Sequence, residues 1–236
     1  MTDHLTLLQR TNLDGFPKPG ELIEITGAHE LEASDRAILN LLYQHAHDSG
    51  RLTEDRAKWE IPMATLRASR HKGNERIHES LDRLMRVVVT VPLADRKTGE
   101  PRTLKTHLFD FFDLSADEVS DRATVRFGLP EQLQPILAGS NRWGRIKAEV
   151  VCAMTSKYAI ALFELVQLRA NMDRCIETFP LVRFRELLGV PPGKLLRGPD
   201  FARFVIQPAV LEVNGLSDMS VDVNLERQSR FARSRP

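Results

Sequence analysis

Apolar residues recur at helical spacing twice in the first part of the chain. In residues 34–47 they fall on one face of a helix, and in residues 75–85 Ile77 and Leu81 begin a second such face. Positions three or four residues apart share a helix face, so both stretches predict helices that pack on a core. Residues 63–69 predict a shorter helix between them.

The pattern then changes to that of β-strands. Residues 87–91 are β-branched, residues 95–100 are polar and turn-forming, and residues 103–114 predict a long return strand. Residues 123–127 predict a third strand. Three helices followed by a hairpin is the element order of a winged helix, in which a β-wing follows the recognition helix of a helix-turn-helix.

The second half repeats this order with its own helices and strands. Its helices are predicted at residues 156–169, 180–188 and 200–213. Its strands are predicted at residues 148–153, 175–179 and 219–225. Pro208 falls inside the last helix, which it is expected to kink because proline lacks the backbone N–H.

Together these elements predict an α+β fold of two tandem winged-helix domains. The domains are placed at residues 31–145 and 146–236, after an irregular arm at residues 1–30 with a short strand at residues 21–25. The first residues show no basic region followed by an apolar one, and no apolar run approaches the ~20 residues that span a bilayer. We therefore expect a cytoplasmic protein without a signal peptide or membrane span.

The net charge of +1 conceals an uneven distribution. Residues 142–236 hold 15 Lys and Arg against 10 Asp and Glu, a net charge of +5, which leaves −4 for the rest. A basic second half suggests contact with an anionic polymer. The alternative is an uneven surface charge without a function.

Features that could indicate enzymatic chemistry do not combine into a site. His45 and His47 resemble the paired histidines of rolling-circle nucleases, but side chains two positions apart on a helix diverge. Cys152 and Cys175 lack metal or redox spacing, and the sequence has no phosphate-binding loop for ATP. We therefore expect no catalytic site, no metal and no cofactor.

Short segments of the second half match a known family in residue type and spacing. They are Thr155-Ser-Lys-Tyr-Ala159, Phe163-Glu-Leu165, Phe184-Arg-Glu-Leu-Leu-Gly189, Phe201, Val205-Ile206, Pro208-Ala-Val210 and Glu212-Val-Asn214. With these segments the chain resembles iteron-type plasmid replication initiators over residues 34–225. It departs from them at Ala161 and at Ala202 and Phe204 around Arg203. It also departs in its last wing, where residues 226–236 take the place of a second strand and the wing is either truncated or replaced by a basic tail.

The resemblance implies two tandem winged-helix domains with double-stranded DNA as the partner. Such proteins bind direct repeats of a plasmid origin, called iterons, as monomers, and many repress their own promoter as dimers joined through the first domain. They use no cofactor and rely on host replication proteins for strand opening and priming. The alternatives are a winged-helix transcriptional repressor without a replication role and a module that binds only proteins.

DNA contacts are expected around the second recognition helix. Lys194 and Arg197 precede this helix and can meet phosphates, and Arg203 in its first turn could bind a guanine. Ala202 and Phe204 could touch a thymine methyl group. For Phe204 the alternative is packing in the core.

A second set of possible DNA contacts surrounds the turn before the third helix. These residues are Arg67, Arg70, Lys72, Asn74 and Arg76. Such a cluster can hold a phosphate backbone. The alternative is a solvated face on which Glu75 and Glu79 form ordinary helix ion pairs.

The predicted strand at residues 103–114 is long for a wing and ends in apolar residues. A long apolar edge invites a partner strand, so we expect a dimer interface there. The expected interface residues are Thr106, Leu108, Phe109 and Phe111. The alternative is that Phe109, Phe111 and Phe112 pack inside the first domain.

The sequence ends in a basic segment that has no acidic residue after Glu226. Its arginines are Arg227, Arg230, Arg233 and Arg235. Each phosphate that an arginine neutralises releases counterions from DNA. The tail is therefore expected to steepen the salt dependence of DNA binding.

Deletion of residues 227–236 is expected to flatten the plot of log K against log[salt], by up to about 3.6 in slope if each arginine meets one phosphate. Fluorescence anisotropy at a series of salt concentrations measures this slope. Replacement of the four arginines by lysine is the control, because it keeps the charge. An unchanged slope after the deletion would show that the tail does not contact DNA.

Overall fold

The computed structural model describes residues 5–67, 75–95, 98–116, 122–170 and 175–226. The helices are α1 (Gly20–Ile23), α2 (Ala33–Asp48), α3 (Glu75–Arg86), α4 (Gln134–Gly139), α5 (Ala148–Ala153), α6 (Lys157–Ala170), α7 (Leu181–Leu187), α8 (Gly198–Phe201) and α9 (Gln207–Leu216). The strands are β1 (Phe16–Pro19), β2 (Lys58–Pro62), β3 (Val88–Ala94), β4 (Pro101–His107), β5 (Phe111–Leu114), β6 (Thr124–Gly128) and β7 (Trp143–Ile146). Short 3₁₀ turns occupy Thr6–Leu8, Ala28–Glu30 and Met63–Leu66, and a π-turn at Ala202–Ile206 joins α8 to α9.

The strands form three small antiparallel sheets. β1 pairs with β7, β6 lies between β2 and β5, and β3 pairs with β4 as a hairpin. The hairpin directly follows α3, with Val88 opposite His107. This is the position of a wing behind its recognition helix, so the first winged helix predicted from the sequence is confirmed.

The longer helices follow the apolar patterns that predicted them, in α2, α3, α6 and α7. α2 begins with a capping box in which Glu32 and Asp35 each bond the other's backbone N–H. Asp35 also accepts two hydrogen bonds from Arg83 on α3, at 2.7 and 2.9 Å. One buried carboxylate therefore fixes both the start of α2 and its angle to α3.

The predicted single strand at residues 103–114 is wrong, because it is two strands in different sheets. β4 pairs with β3, whereas β5 pairs with β6. Between them Leu108 and Phe109 are fully buried. Two consecutive apolar side chains cannot both face the core from a regular strand, so the chain bends where the alternation fails.

Four other predicted strands are also wrong. Residues 148–153 form helix α5, and residues 21–25 overlap helix α1. Residues 175–179 and 219–225 have no partner strand among the described residues. In the second stretch, the Val221 backbone donates its N–H to the Asn214 side chain and accepts a hydrogen bond from it at the carbonyl.

Within residues 5–30, which were predicted as an irregular arm, several residues belong to the folded body. Phe16, Lys18 and Leu22 are buried, and β1 lies against β7 with Phe16 opposite Ile146. The backbone of Thr6 donates to Ser140 at 2.9 Å. These contacts bring β1 alongside α2 and α6, and they carry a charged lysine into the centre of the molecule.

A buried ion pair joins β1 to α6. The Lys18 ammonium lies 2.6 Å from Oε1 of Glu164, and the two side chains are 1% and 3% exposed. Asn40 on α2 accepts from Lys18 at 3.1 Å and donates to Glu164 at 2.7 Å. Burial lowers the pKa of Lys18 from its ordinary value, and the Glu164 carboxylate opposes that shift. Three elements that are distant in sequence therefore meet at one polar cluster.

The variant Glu164→Ala is expected to lower the free energy of unfolding by about 3–5 kcal/mol, because it leaves Lys18 buried without its counter-charge. Urea denaturation followed by circular dichroism measures this loss. The matched control is Asp218→Ala, which removes an equally short 2.6 Å pair with Lys147 at the surface. The control should cost at most about 1 kcal/mol, and equal losses in the two variants would contradict the role given to burial.

Candidate nucleic-acid interface

The second helix-turn-helix consists of α7, a loop at residues 188–197, and the continuous helix from α8 to α9. α7 is terminated by Gly189, whose φ is +75°. A Cβ at this position would lie 2.7 Å from a guanidinium nitrogen of Arg36 on α2. The glycine therefore serves both the left-handed turn and the close approach of the second helix-turn-helix to the first domain.

The loop before the recognition helix is fastened by one arginine. Nη2 of Arg185 donates to the carbonyl oxygens of Leu195 and Leu196 at 3.0 and 2.8 Å. Its guanidinium also lies over the Phe201 ring, 4.8 Å from the centroid. These contacts hold Leu195 in the left-handed region, at φ +50°.

Two predicted phosphate contacts lie on this fastened loop. Lys194 and Arg197 are both exposed. Nε of Arg197 lies 3.8 Å from Asp200, and its side chain remains 81% exposed. A pair so exposed contributes little to stability, which leaves the cation available to an anionic partner.

The recognition helix divides cleanly into an inner and an outer face. Its inner face consists of Phe201, Val205, Ala209 and Val213, which are all fully buried. Arg203 lies on the outer face, as predicted. Phe204 is 54% exposed, so the alternative that it packs in the core is wrong.

The π-turn at Ala202–Ile206 explains how the helix passes Pro208. Gln207 donates its N–H to the carbonyl of Ala202, five residues back. Pro208 has no N–H to donate, and the wider turn rearranges the hydrogen bonds just before it. The same turn contains Arg203 and Phe204, the two residues expected to contact bases.

The far end of the recognition helix is held by α6. The Glu212 carboxylate accepts from the Thr155 backbone at 2.7 Å, from its hydroxyl at 2.6 Å and from the Ser156 backbone at 3.0 Å. These are the free donors at the start of α6, where a negative charge is favourable. The sequence segments around Thr155 and Glu212 that carried the family resemblance thus meet in the structure.

The expected phosphate cluster of the first domain lies only partly within the described residues. Arg70, Lys72 and Asn74 fall outside them, and Arg67 and Arg76 are exposed.

Around Arg76, the outer face of α3 also carries Glu79 and Asp82, and Arg83 pairs with the buried Asp35. Glu79 lies 4.0 Å from Arg83, an ordinary helix ion pair. The described face of α3 is therefore of mixed charge.

The prediction that Leu108 and Phe109 form a dimer interface is wrong. Both are fully buried inside the first domain. The Phe109 ring packs against Phe112 at 4.8 Å, Tyr43 at 5.7 Å and Phe127 at 5.8 Å between centroids. An aromatic cluster with these contacts cannot be offered to a second chain.

The other two expected dimer residues are half-buried. Thr106 lies opposite Val89, which is fully buried, so it faces the inner side of the hairpin. Phe111 on β5 has the Lys58 ammonium 5.6 Å from its ring centroid. The exposed positions of β4 are Pro101, Arg102, Thr103, Lys105 and His107, and the last three alternate with Leu104 and Thr106.

A helix-turn-helix followed by a wing places this chain among the winged-helix DNA-binding proteins. Two family models match it in tandem, "Initiator Replication protein, WH1" over residues 18–167 and "Initiator Rep protein, WH2" over residues 180–232. The chain therefore belongs to the family of plasmid replication initiators with two winged-helix domains. No curated protein matches it. Within the described residues, none of the helices combines the length and apolar character needed to cross a membrane.

The matched ranges place α6 within the first domain. The first model extends to residue 167, beyond the domain boundary predicted at residue 145, and so covers most of α6. The second match begins at residue 180, directly before α7. The bonds from Glu212 to the start of α6 are therefore contacts between the two matched domains.

The variant Arg203→Ala is expected to weaken binding to the preferred DNA site by about 1–3 kcal/mol while leaving binding to random DNA unchanged, because a base contact carries sequence information and a phosphate contact does not. Competition binding with both DNAs measures the two affinities. Arg197→Ala is the control, and should weaken both equally. Equal losses on the two DNAs for Arg203→Ala would make it a phosphate contact.

Proposed function

We propose that this initiator binds the repeated sites of a plasmid origin as a monomer through its second winged helix. The observation that carries the proposal is the outward Arg203–Phe204 face of a recognition helix whose inner face is fully buried. Lys194 and Arg197 flank its start on a loop fixed by Arg185. Cations at the entry and a base-reading side chain about one turn into the helix form the arrangement that a helix needs in the major groove.

We further propose that the chain acts without catalysis of its own and in the cytoplasm, and leaves strand opening to host replication proteins. The histidine pair that could indicate a nuclease is used in folding. His47 is buried, with Nε2 3.0 Å from the carbonyl of Thr6 and Nδ1 3.2 Å from Asp48. His45 lies against Phe127, 6.3 Å between ring centroids. The two rings therefore have separate partners, which supports a non-catalytic role.

The experiment that tests the origin-binding proposal is selection of bound sequences from a library of plasmid fragments. The expected result is one short sequence, recovered in direct repeats near the gene. A plasmid that lacks its own initiator should then be maintained when the gene and the repeats are supplied together. Recovery of a single inverted repeat at the promoter, with no plasmid maintenance, would instead identify a transcriptional repressor.

A dimer is proposed through the open edge of β4. Thr90 on β3 exchanges both backbone hydrogen bonds with Thr26, at 2.8 and 3.0 Å, so its backbone groups point away from β4. Thr90 lies opposite Lys105. In such a non-hydrogen-bonded pair Lys105 also turns its N–H and C=O outward, as do Thr103 and His107 two residues away.

This edge is suited to a second copy of the chain. Among the described residues no strand pairs with it. Two β4 strands related by a two-fold axis would extend the wings into one four-stranded antiparallel sheet, with the same residues used on both sides. Such a dimer, which is joined through the first domain, would be the form that represses the initiator's own promoter.

The variant Lys105→Pro is expected to shift the free protein toward monomer without unfolding it, because proline removes an N–H that points to the partner and not to β3. Sedimentation velocity at about 1–50 μM, the range of weak association, measures the shift. The control Lys105→Ala keeps the N–H and should remain dimeric. A wild-type protein that is monomeric at the highest concentration would refute the dimer, and a dimer unaffected by proline would place the interface elsewhere.

A further inference from the structure

The recognition helix presents a paired cation and aromatic ring on its outer face. The guanidinium of Arg203 lies over the ring of Phe204, with Cζ 5.2 Å from the centroid. The two heads therefore point to the same side of the helix, although the residues are consecutive. Phe204 is more than half exposed in a helix whose other aromatic residue, Phe201, is fully buried.

We propose that Arg203 and Phe204 act together as the reader of a two-base step, in which Arg203 binds a guanine and Phe204 packs on the methyl group of the adjacent thymine. This inference rests on the proposed function, since it assigns the sequence that the second winged helix prefers. It makes Phe204 a specificity-determining residue and gives a chemical reason for its exposure.

The chemistry of the major groove fits these two side chains. Guanine presents the acceptors N7 and O6, which match the two donors of a guanidinium fork. Thymine presents a C5-methyl group, the apolar feature that an exposed phenyl ring can cover. Successive base pairs are about 3.4 Å apart along the helix axis, so groups separated by 5.2 Å can reach neighbouring pairs.

The surroundings favour DNA over a protein as the partner of this ring. A cation lies directly on Phe204, and Lys194 and Arg197 precede the same helix. From Gly198 to Leu216 the only cation is Arg203, so the helix carries one directional donor beside one apolar ring. A protein-binding apolar face would not need two cations at the start of its helix, whereas a phosphate backbone is held by such cations.

The experiment uses the full chain and its selected DNA site, with each thymine replaced in turn by deoxyuridine, which lacks only the methyl group. The wild-type protein is expected to lose about fourfold in affinity at one thymine, the value of one buried methyl group. At the adjacent guanine, 7-deazaguanine should weaken binding by wild type but not by Arg203→Ala. Phe204→Ala should bind the thymine and deoxyuridine sites equally.

A matched control lies on the same helix. Leu211 is 76% exposed and lies two turns beyond Phe204. Leu211→Ala should keep the full discrimination between thymine and deoxyuridine. Phe204→Leu, which retains an apolar side chain, should keep part of it, and circular dichroism verifies that each variant is folded.

The outcomes separate this inference from the function on which it rests. A wild-type protein that binds its site specifically but tolerates deoxyuridine at every thymine would overturn the two-base reader and leave the origin-binding function intact. Discrimination that persists in Phe204→Ala would overturn the role of Phe204. A protein without any sequence preference would overturn both.

Discussion

The position of the recognition helix depends on a buried pair of opposite charges far from it. Lys18 and Glu164 are removed from water together, and Asn40 bonds both. The desolvation of two charges is offset only when their geometry is maintained, so β1, α2 and α6 are held in one arrangement. α6 in turn receives the Glu212 carboxylate of α9 at its first turn. A polar cluster in the first domain therefore sets the orientation of the recognition helix in the second.

A second polar link joins the two domains at the opposite end of α6. The Glu24 carboxylate lies 2.8 Å from Arg169 on α6 and 2.5 Å from Arg142, and its carbonyl accepts from Arg183 on α7 at 3.0 Å. Burial raises the pKa of Glu24, but the hydrogen bonds from the two arginines outweigh it and hold the pKa below its ordinary value. The domain contact thus includes, at each end of one helix, hydrogen bonds made by a charged side chain of the second domain.

The elements that sequence predicts well are those whose pattern is decided locally. The amphipathic spacing of α2, α3 and α6 survives in the structure because each buries one face. Residues 148–153 mislead because Val150 and Val151 favour a strand, whereas the segment packs as a helix in which Val151 is buried. The bend at Leu108 and Phe109 is decided by the aromatic cluster around Phe127, which is distant in sequence.

The candidate site was predictable only where local sequence decides a residue's position. Arg203 follows from its place in the first turn of a helix that matched a family pattern. For Phe204 the sequence left two alternatives, a base contact and packing in the core, and the structure excludes the core because the side chain is 54% exposed. The burial of Lys18 and Glu164 has one indication in the sequence. Lys18 lies between two prolines, and Glu164 is a charged residue within an apolar helix segment. Their pairing is decided by the tertiary structure, because the two residues are 146 positions apart in sequence.

The positions of the cations assign non-specific DNA affinity and sequence specificity to different parts of this molecule in the proposed binding mode. The recognition helix carries a single cation, Arg203, so it can supply little of the counterion release that dominates non-specific binding. The proposed binding mode assigns that contribution to the loop with Lys194 and Arg197 and to the arginines of the tail. A helix with few charges is less attracted to random phosphates and depends on the match between its side chains and the base edges. The hydrogen bonds of Arg185 to the loop and of Glu212 to the start of α6 then become necessary, because they hold the helix in place. A base-edge contact is lost by a small displacement that a phosphate contact would tolerate.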